Sequence, residues 1–353
     1  MPLRRFAVVR SASVPDEGRP GTSLGRFAAW VRAALQPTPT PTPTLALRQK
    51  LYRPPGAREG ARPLVVMLHG CGLGAVDFAA GTAMNQRARE QGYFVLYPEQ
   101  SRNANALRCW SWFARAHQQR GRGEPAAIAA MTQAVIRSQG IDASRVYIAG
   151  MSAGGAMAAI VAAAYPEIFA AVGVHSGLAH GAATNAADAH GVMRGNIAAS
   201  PWQTLPQGMP TIVFHGDEDL SVHPRHGRAL IAASLGQPSD HQGLPASDLP
   251  AQVVHVVQGI GEHGRHYTRA IHEDDAGHVL AEHWLVHGAG HAWSGGQAQG
   301  AFADTRGPDA SREMLRFFSG QRRAAGHRVP WSVRYRTDPA AAPGYKREMR
   351  VPT

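Results

Sequence analysis

The segment 150–154 reads Gly-Met-Ser-Ala-Gly, so a glycine lies two residues to either side of Ser152. The segment follows an apolar run, 145–149, that is typical of a strand, and it precedes an Ala-rich run, 153–164, that is typical of a helix. A sharp strand-to-helix turn projects a serine hydroxyl clear of the backbone, and glycines avoid the clashes of so tight a turn. The pattern predicts a nucleophilic serine; the alternative is an ordinary turn in a chain rich in alanine and glycine.

Two partners for that serine follow in the order acid, then histidine. An apolar run at 210–214 precedes three carboxylates, Asp217, Glu218 and Asp219, and spacing alone does not choose among them. His291 follows a second strand-like run within the sequence Gly-Ala-Gly-His, whose glycines let the loop bend toward the serine. The order Ser, Asp, His is the one expected of hydrolases built on a parallel sheet, with His291 as the general base.

Metal binding is the alternative for the histidines. His283, His287 and His291 recur every four residues, as ligands would on one face of a helix. The glycines at 288 and 290 disfavour a helix, and strand residues four apart lie about 13 Å from each other, too far for one zinc ion. We therefore expect no metal site, with structural roles for His283 and His287.

The turn after the first strong strand offers groups for an oxyanion. Residues 68–72 read Leu-His-Gly-Cys-Gly, and a Gly-rich turn there could present peptide N–H groups from the side opposite Ala153. We expect the N–H groups of Cys71 and Ala153 to bind the oxyanion; the alternative is an ordinary turn that ends a strand.

Aromatic residues lie near these segments in sequence. Trp110 and Trp112 belong to the run Cys-Trp-Ser-Trp-Phe at 109–113, and Trp293 lies beside His291. They are candidates for lining an acyl pocket, but aromatic residues also commonly fill protein cores, and both interpretations stay open.

The elements that must hold these residues alternate along the chain. Strand-like runs at 63–68, 93–97, 145–149, 170–174 and 210–214 alternate with helix-like segments at 78–91, 125–139 and 153–164. Such alternation predicts βαβ units and a mainly parallel sheet. A hairpin is expected from 265–272 and 279–286, followed by a closing helix at 309–318.

The two ends of the chain differ from its middle. A Pro-Thr repeat at 37–44 favours an extended linker, so residues 1–44 are interpreted as an appendage and 45–320 as the catalytic domain.

Residues 1–50 and 321–353 each contain eight Lys and Arg against two Asp and Glu, so the net charge of +11 leaves −1 for residues 51–320. A neutral middle between basic tails argues against a nucleic-acid partner. The chain also lacks the run of about 18 apolar residues that spans a membrane.

Taken together, the motifs resemble the poly(3-hydroxybutyrate) depolymerase family of esterases, with its relatives that act on feruloyl and acetyl esters of plant polysaccharides. The resemblance covers about 60–320 and is carried by the segments 69–71, 77–82, 84–85, 97–100, 108–112, 150–155, 215–219 and 288–296.

The resemblance implies an α/β-hydrolase fold, a mainly parallel central sheet flanked by helices, and a serine esterase without a cofactor. It implies Ser152 as nucleophile, His291 as base and Asp219 as acid, and a disulfide between Cys71 and Cys109. The expected substrate is poly(3-hydroxybutyrate), another polyhydroxyalkanoate or its oligomers, with feruloyl or acetylxylan-type esters as the alternative.

Family members are usually secreted, which favours an extracellular or periplasmic monomer. The apolar run near the N-terminus, 6–9, falls short of the ~7–15 residues of a secretory signal core, so a cytoplasmic location stays open. No separate polymer-binding domain is recognised after the catalytic one, which leaves attack on crystalline polyester open.

Overall fold

The computed structural model describes residues 47–56, 60–199, 209–237 and 253–323. The predicted appendage, 1–44, and the basic tail beyond residue 323 lie outside these ranges, so both stay predictions.

A nine-stranded sheet forms the centre of the described part of the chain, in the order β1-β3-β2-β4-β5-β6-β9-β8-β7. Strands β3, β2, β4, β5, β6 and β9 run parallel, whereas β1 is antiparallel to β3 and the hairpin β8–β7 is antiparallel beside β9. Their bounds are β1 Arg48–Tyr52, β2 Arg62–Leu68, β3 Phe94–Glu99, β4 Ile141–Met151, β5 Ala171–His175, β6 Thr211–Gly216, β7 Val253–Ile260, β8 His266–Glu273 and β9 Val279–Val286.

Seven α-helices in the described residues accompany the sheet, and two further two-residue strands pair with each other. The helices are α1 Ala75–Thr82, α2 Met84–Gln91, α3 Gly123–Gln139, α4 Ala153–Ala164, α5 Ala186–Arg194, α6 Arg225–Ser234 and α7 Ala310–Ser319. The short strands are β10 Trp293–Ser294 and β11 Ala303–Asp304, which pair in parallel.

Both faces of the sheet are buried. Alternate side chains of a strand point to opposite faces, and helices cover each face. In β2, Leu64 and Val66 contribute to one apolar cluster and Val65 and Met67 to the other. Helices α3, α4 and α6 supply the first cluster, and α1, α2 and α7 supply the second. This layering explains why β2 is an unbroken apolar run rather than an alternating one.

The strand order determines where a site can form. After β3 the chain crosses β2 and adds β4 on its other side, so the carboxyl ends of β2 and β4 form a topological switch point. In open parallel sheets, ligands bind in the crevice at such a point. The turns after β2 and β4 hold residues 69–72 and Ser152, respectively.

Most predicted elements are confirmed, including the hairpin, as β8 and β9, and the closing helix, as α7. The single helix predicted over 78–91 is wrong: it is two helices, because Ala83 between them has φ +52 and ends α1. Strands β1 and β7, at the two edges of the sheet, were not predicted. β1 begins with three polar residues, whereas β7 is rich in valine and its apolar run was overlooked.

No helix in the described ranges is long and apolar enough to cross a membrane.

Strand β8 contains a buried histidine that we expect to make folding sensitive to acid. His272 has no exposed surface, and within the described residues neither of its ring nitrogens has a hydrogen-bond partner. Burial lowers the pKa of His272 from 6.5 to about 4. Between these values the unfolded chain binds the extra proton, so stability falls as the pH drops below 6.5 and levels off below about 4.

His272→Leu should raise the melting temperature at pH 7. It should also make the free energy of unfolding less sensitive to acid between pH 7 and 5, by up to about 1.4 kcal/mol per pH unit. Thermal melts at both pH values test this, with the exposed His263 changed to Leu as the matched control. Equal pH sensitivity in wild type and His272→Leu would contradict the expectation.

Candidate active site

Ser152 occupies the turn between β4 and α4 in a strained backbone conformation. Its φ of +57° and ψ of −124° are unusual for a residue other than glycine, and such strain concentrates at functional sites. The Ser152 N–H donates to the carbonyl of His175 at 2.9 Å, which holds the turn against the end of β5. Ser152 therefore lies at the N-terminus of α4, whose first N–H groups have no partner within the helix.

Two glycines allow this turn to pack directly on the end of β2. A Cβ placed on Gly150 would lie 2.8 Å from the Leu68 carbonyl oxygen and closer still to the Gly154 carbonyl. A Cβ on Gly154 would overlap the carbonyl oxygens of Leu68 and His69. Neither glycine is needed for a positive φ; each is needed because backbone approaches it from the neighbouring strand.

Gly154→Ala should therefore destabilise the fold by about 1–3 kcal/mol or more, because the added methyl group meets backbone that cannot move aside. Urea unfolding measures the change in free energy. Gly290→Ala is the control, since a Cβ there meets nothing within 4 Å. Equal unfolding free energies for the two variants would show that the turn has room to relax.

The candidate acid and the candidate base meet where the loops that follow β6 and β9 pack together. His291 Nδ1 lies 2.7 Å from Asp219 Oδ2. The Asp219 side chain has no exposed surface and that of His291 is 15% exposed, so the imidazole lies between a buried carboxylate and the surface. A carboxylate on Nδ1 keeps Nε2 free to accept a proton.

Asp219 is held as a carboxylate by three hydrogen bonds and a neighbouring imidazole. Its Oδ1 accepts from the N–H groups of Ser221 and Val222 at 2.9 and 2.8 Å. The third bond comes from His291, and His215 Nε2, which is 2.8 Å from the Val222 carbonyl oxygen, lies 3.5 Å from Oδ2. Burial by itself would raise the pKa of Asp219, but the contacts from His215 and His291 outweigh it and hold the pKa well below its usual range.

A second histidine–carboxylate pair lies beside the first. His287 Nδ1 is 2.8 Å from Asp217 Oδ2, and His287 Nε2 is 2.8 Å from Thr268 Oγ1. The other oxygen of Asp217 accepts from the Gly288 N–H at 2.7 Å, and the Glu218 N–H donates to Ala289. These bonds join the loop that begins at Asp217 after β6 (the acid loop) to the loop that begins at His287 after β9 (the histidine loop).

The two histidine–carboxylate pairs distinguish the three carboxylates that the sequence spacing left equivalent. Asp219 pairs with His291, Asp217 pairs with His287, and Glu218 contacts the histidine loop through its backbone. His283 is buried in β9, and burial lowers its pKa to about 3. The three histidines thus have separate surroundings, and the described residues contain no group of three or more ligands that could hold a metal ion.

The turn after β2 lies against the serine. A Cβ on Gly70 would be 3.7 Å from the Ser152 Cβ. Cys71 is disulfide-bonded to Cys109, so the disulfide that the resemblance implied is present. The neighbouring Gly72 N–H donates to the Leu107 carbonyl at 2.7 Å, which fastens the same two segments a second time.

His69 orients the peptide that joins Gly70 to Cys71, a role that sequence reasoning missed. The Gln100 N–H donates to His69 Nε2 at 3.1 Å, so Nε2 is unprotonated and Nδ1 carries the hydrogen. That Nδ1–H donates to the Gly70 carbonyl at 2.8 Å. In a trans peptide the N–H points opposite the carbonyl, so the Cys71 N–H is turned away from His69. Burial lowers the pKa of His69, which favours this neutral form.

His175 connects the serine turn to the histidine loop and was also missed. Its carbonyl accepts from Ser152, and its imidazole Nε2 accepts from the Ser294 N–H at 2.9 Å. Burial lowers the pKa of His175 to about 3, so the ring stays neutral and can accept. Its position at the carboxyl end of β5, directly followed by Ser and Gly, was the available sequence signal.

The three candidate tryptophans lie in the core. Trp110, Trp112 and Trp293 are 0%, 4% and 1% exposed. Trp110 Nε1 donates to the His69 carbonyl at 3.0 Å, and Trp293 stacks on His175 and donates to Ser311. In this conformation they pack beneath the residues of the site and do not line an open pocket.

The sheet order and the placement of the turn that presents Ser152 are those of the α/β-hydrolases, which confirms the expected fold class. A solved structure, the acetyl xylan esterase from Aspergillus awamori, superposes with a TM-score of 0.58 at 18% sequence identity, covering 79% of this chain and 96% of that one. At this identity the likeness concerns the fold alone.

The chain belongs to the family described as Esterase PHB depolymerase, whose sequence model matches residues 47–235. It is 28% identical over 248 residues to poly(3-hydroxyalkanoate) depolymerase C of Paucimonas lemoignei, covering 67% of this chain and 56% of that protein. It is 32% identical over 179 residues to feruloyl esterase B of Neurospora crassa, covering 46% of this chain and 60% of that one. The chain thus spans rather more than half the length of these relatives.

Proposed function

We propose that this chain is a serine esterase that uses Ser152, His291 and Asp219 as a catalytic triad, within a catalytic domain of residues 45–320. The observation that carries the proposal is the 2.7 Å contact between His291 Nδ1 and the buried Asp219 carboxylate. This pair lies beyond the carboxyl ends of β6 and β9, the end of the parallel strands at which the strained turn after β4 presents Ser152. A hydroxyl, an imidazole and a carboxylate in this order perform acyl transfer.

In the first half of the reaction Ser152 Oγ attacks the ester carbonyl carbon while His291 Nε2 takes its proton. Asp219 stabilises the imidazolium that forms. The N–H groups of Ala153 and Cys71 donate to the tetrahedral oxyanion, the former at the helix N-terminus and the latter turned away from His69. His291 then gives its proton to the alcohol oxygen as the carbon–oxygen bond breaks.

In the second half water attacks the acyl-serine carbonyl, and His291 takes a proton from that water. The same two N–H groups stabilise the second oxyanion. The bond to Ser152 Oγ breaks, the serine recovers its proton, and a carboxylic acid leaves. For a hydroxyalkanoate ester the acid released is a hydroxy acid or a shorter oligomer.

We propose poly(3-hydroxybutyrate), another polyhydroxyalkanoate or their oligomers as the substrate. Family membership and the similarity to poly(3-hydroxyalkanoate) depolymerase C over two thirds of the chain support this choice. Feruloyl or acetylxylan-type esters are the second candidate, supported by the 32% identity to feruloyl esterase B.

The test is loss of turbidity of amorphous poly(3-hydroxybutyrate) granules, wild type against Ser152→Ala, with methyl ferulate and acetylated xylan assayed in parallel. Clearing by wild type alone would support the polyester. Hydrolysis of either plant-wall ester without clearing would favour the second candidate. An inert wild type whose Ser152 also fails to react with a fluorophosphonate would overturn the esterase proposal.

We also propose that the chain works outside the cytoplasm, because the Cys71–Cys109 disulfide persists most readily in an oxidising compartment. Thiol alkylation in intact producing cells should leave both cysteines unlabelled until a reductant is added. Labelling of both cysteines in the native protein without reductant would contradict this location.

A further inference from the structure

An exposed aromatic ring lies against the proposed base. Phe302 is 52% exposed, and its ring meets the His291 imidazole edge to face, with centroids 6.5 Å apart and an interplanar angle of 75°. The tryptophans considered from the sequence are buried, so among the described residues Phe302 is the aromatic side chain that offers free surface beside His291.

The backbone at Phe302 is strained and firmly held. Its φ of +59° is in the left-handed region, which a bulky side chain rarely adopts. The Phe302 carbonyl accepts from the Trp293 N–H at 2.7 Å, and the next residue, Ala303, pairs with Trp293 in the β10–β11 ladder. A strained conformation maintained by the surrounding structure, with the side chain exposed, points to a role for that side chain.

The position of the ring specifies which part of an ester it meets. His291 uses Nδ1 to bind Asp219, so Nε2 is the atom that delivers a proton to the leaving oxygen. In the sheet order β2 lies on one side of β4 and β9 on the other, so the turn with the proposed Cys71 donor and the loop with His291 flank Ser152 from opposite sides. A group packed on the His291 ring is therefore on the alcohol side of the substrate.

We infer that Phe302 forms an apolar wall of the alcohol-side subsite and selects esters whose leaving alcohol is bulky and apolar or aromatic. Leu220, which is 84% exposed and directly follows Asp219, adds free apolar surface beside the acid loop. The inference rests on the proposed esterase function and deepens it by naming the class of alcohol.

The test varies the alcohol and the acyl group separately. Methyl acetate and 1-naphthyl acetate share the acyl group, whereas methyl acetate and methyl butyrate share the alcohol. Phe302→Gly removes the ring, and glycine adopts a φ of +59° without strain. We expect its kcat/KM for 1-naphthyl acetate to fall about tenfold or more, with less than about a threefold change for methyl acetate and an unchanged butyrate-to-acetate ratio.

Phe302→Asn provides a second test should the glycine variant fold poorly, since asparagine tolerates the left-handed region and leaves no apolar wall. It should show the same selective loss. Val256→Ala is the control, because Val256 is 59% exposed but lies in β7 at the outer edge of the sheet; its selectivity should match wild type.

An equal fall in kcat/KM for methyl acetate and 1-naphthyl acetate would mean that the Phe302 ring acts through His291 alone. That result would overturn the alcohol-side assignment. A changed butyrate-to-acetate ratio would move Phe302 to the acyl side and overturn it as well. Failure of the wild type on all three esters, with no labelling of Ser152 by a fluorophosphonate, would instead remove the esterase function on which the inference rests.

Discussion

Ser152→Ala is expected to lower kcat/KM for any ester that the wild type hydrolyses by about 10⁴-fold or more. The loss follows because the methyl group can neither attack the carbonyl nor form the acyl-enzyme, while the oxyanion donors and the binding surface remain. Steady-state hydrolysis measures the loss, and a fluorophosphonate that labels wild type but not the variant locates the nucleophile.

The control for this prediction is Ser319→Ala, which removes an exposed hydroxyl at the end of α7. It should keep wild-type activity and wild-type labelling. If Ser152→Ala retained a tenth of the wild-type activity with an intact fold, another group would be the nucleophile and the proposed triad would be wrong.

Asp219→Asn should lower kcat by about 10³–10⁴-fold without a comparable change in KM. The carboxylate stabilises the imidazolium that forms at His291 and selects the tautomer that leaves Nε2 free; a neutral amide can do neither reliably. Pre-steady-state kinetics should place the loss in acylation and deacylation rather than in binding.

Asp217→Asn is the matched control for that experiment, two residues away and also paired with a histidine. It weakens the contact between the loops but leaves the Asp219–His291 pair in place, so a loss of less than about tenfold in kcat is expected. A severe effect of Asp217→Asn with a mild effect of Asp219→Asn would show that the acid has been assigned to the wrong carboxylate.

The proposed site is assembled from the ends of four parallel strands, and its parts are tied to each other rather than left on free loops. The disulfide and His69 hold the turn after β2, His175 joins the turn after β4 to the loop after β9, and the Asp217–His287 pair joins the loops after β6 and β9. Groups held in this way keep the alignment that acyl transfer needs.

Local chemistry allowed the fold class and the main candidate site residues to be predicted from the sequence. A glycine-flanked serine between a strand and a helix needs a specific backbone, and alternating apolar runs indicate a parallel sheet whichever partners they pack against. The order of serine, carboxylates and histidine follows from the order of the strands. For this reason the fold class and the candidates Ser152 and His291 could be predicted from the residues, and the resemblance of the combined motifs indicated the family.

Contacts between distant segments decided the rest. Asp217, Glu218 and Asp219 are equivalent by spacing, and only the packing of the loop after β6 against the loop after β9 joins Asp219 to His291, 72 residues away. Tertiary packing also buries the three tryptophans that their sequence positions suggested as pocket residues, and it leaves Phe302, which no motif marked, exposed. A motif constrains its own backbone, whereas a side chain's partner and exposure depend on elements that meet only in the folded sheet.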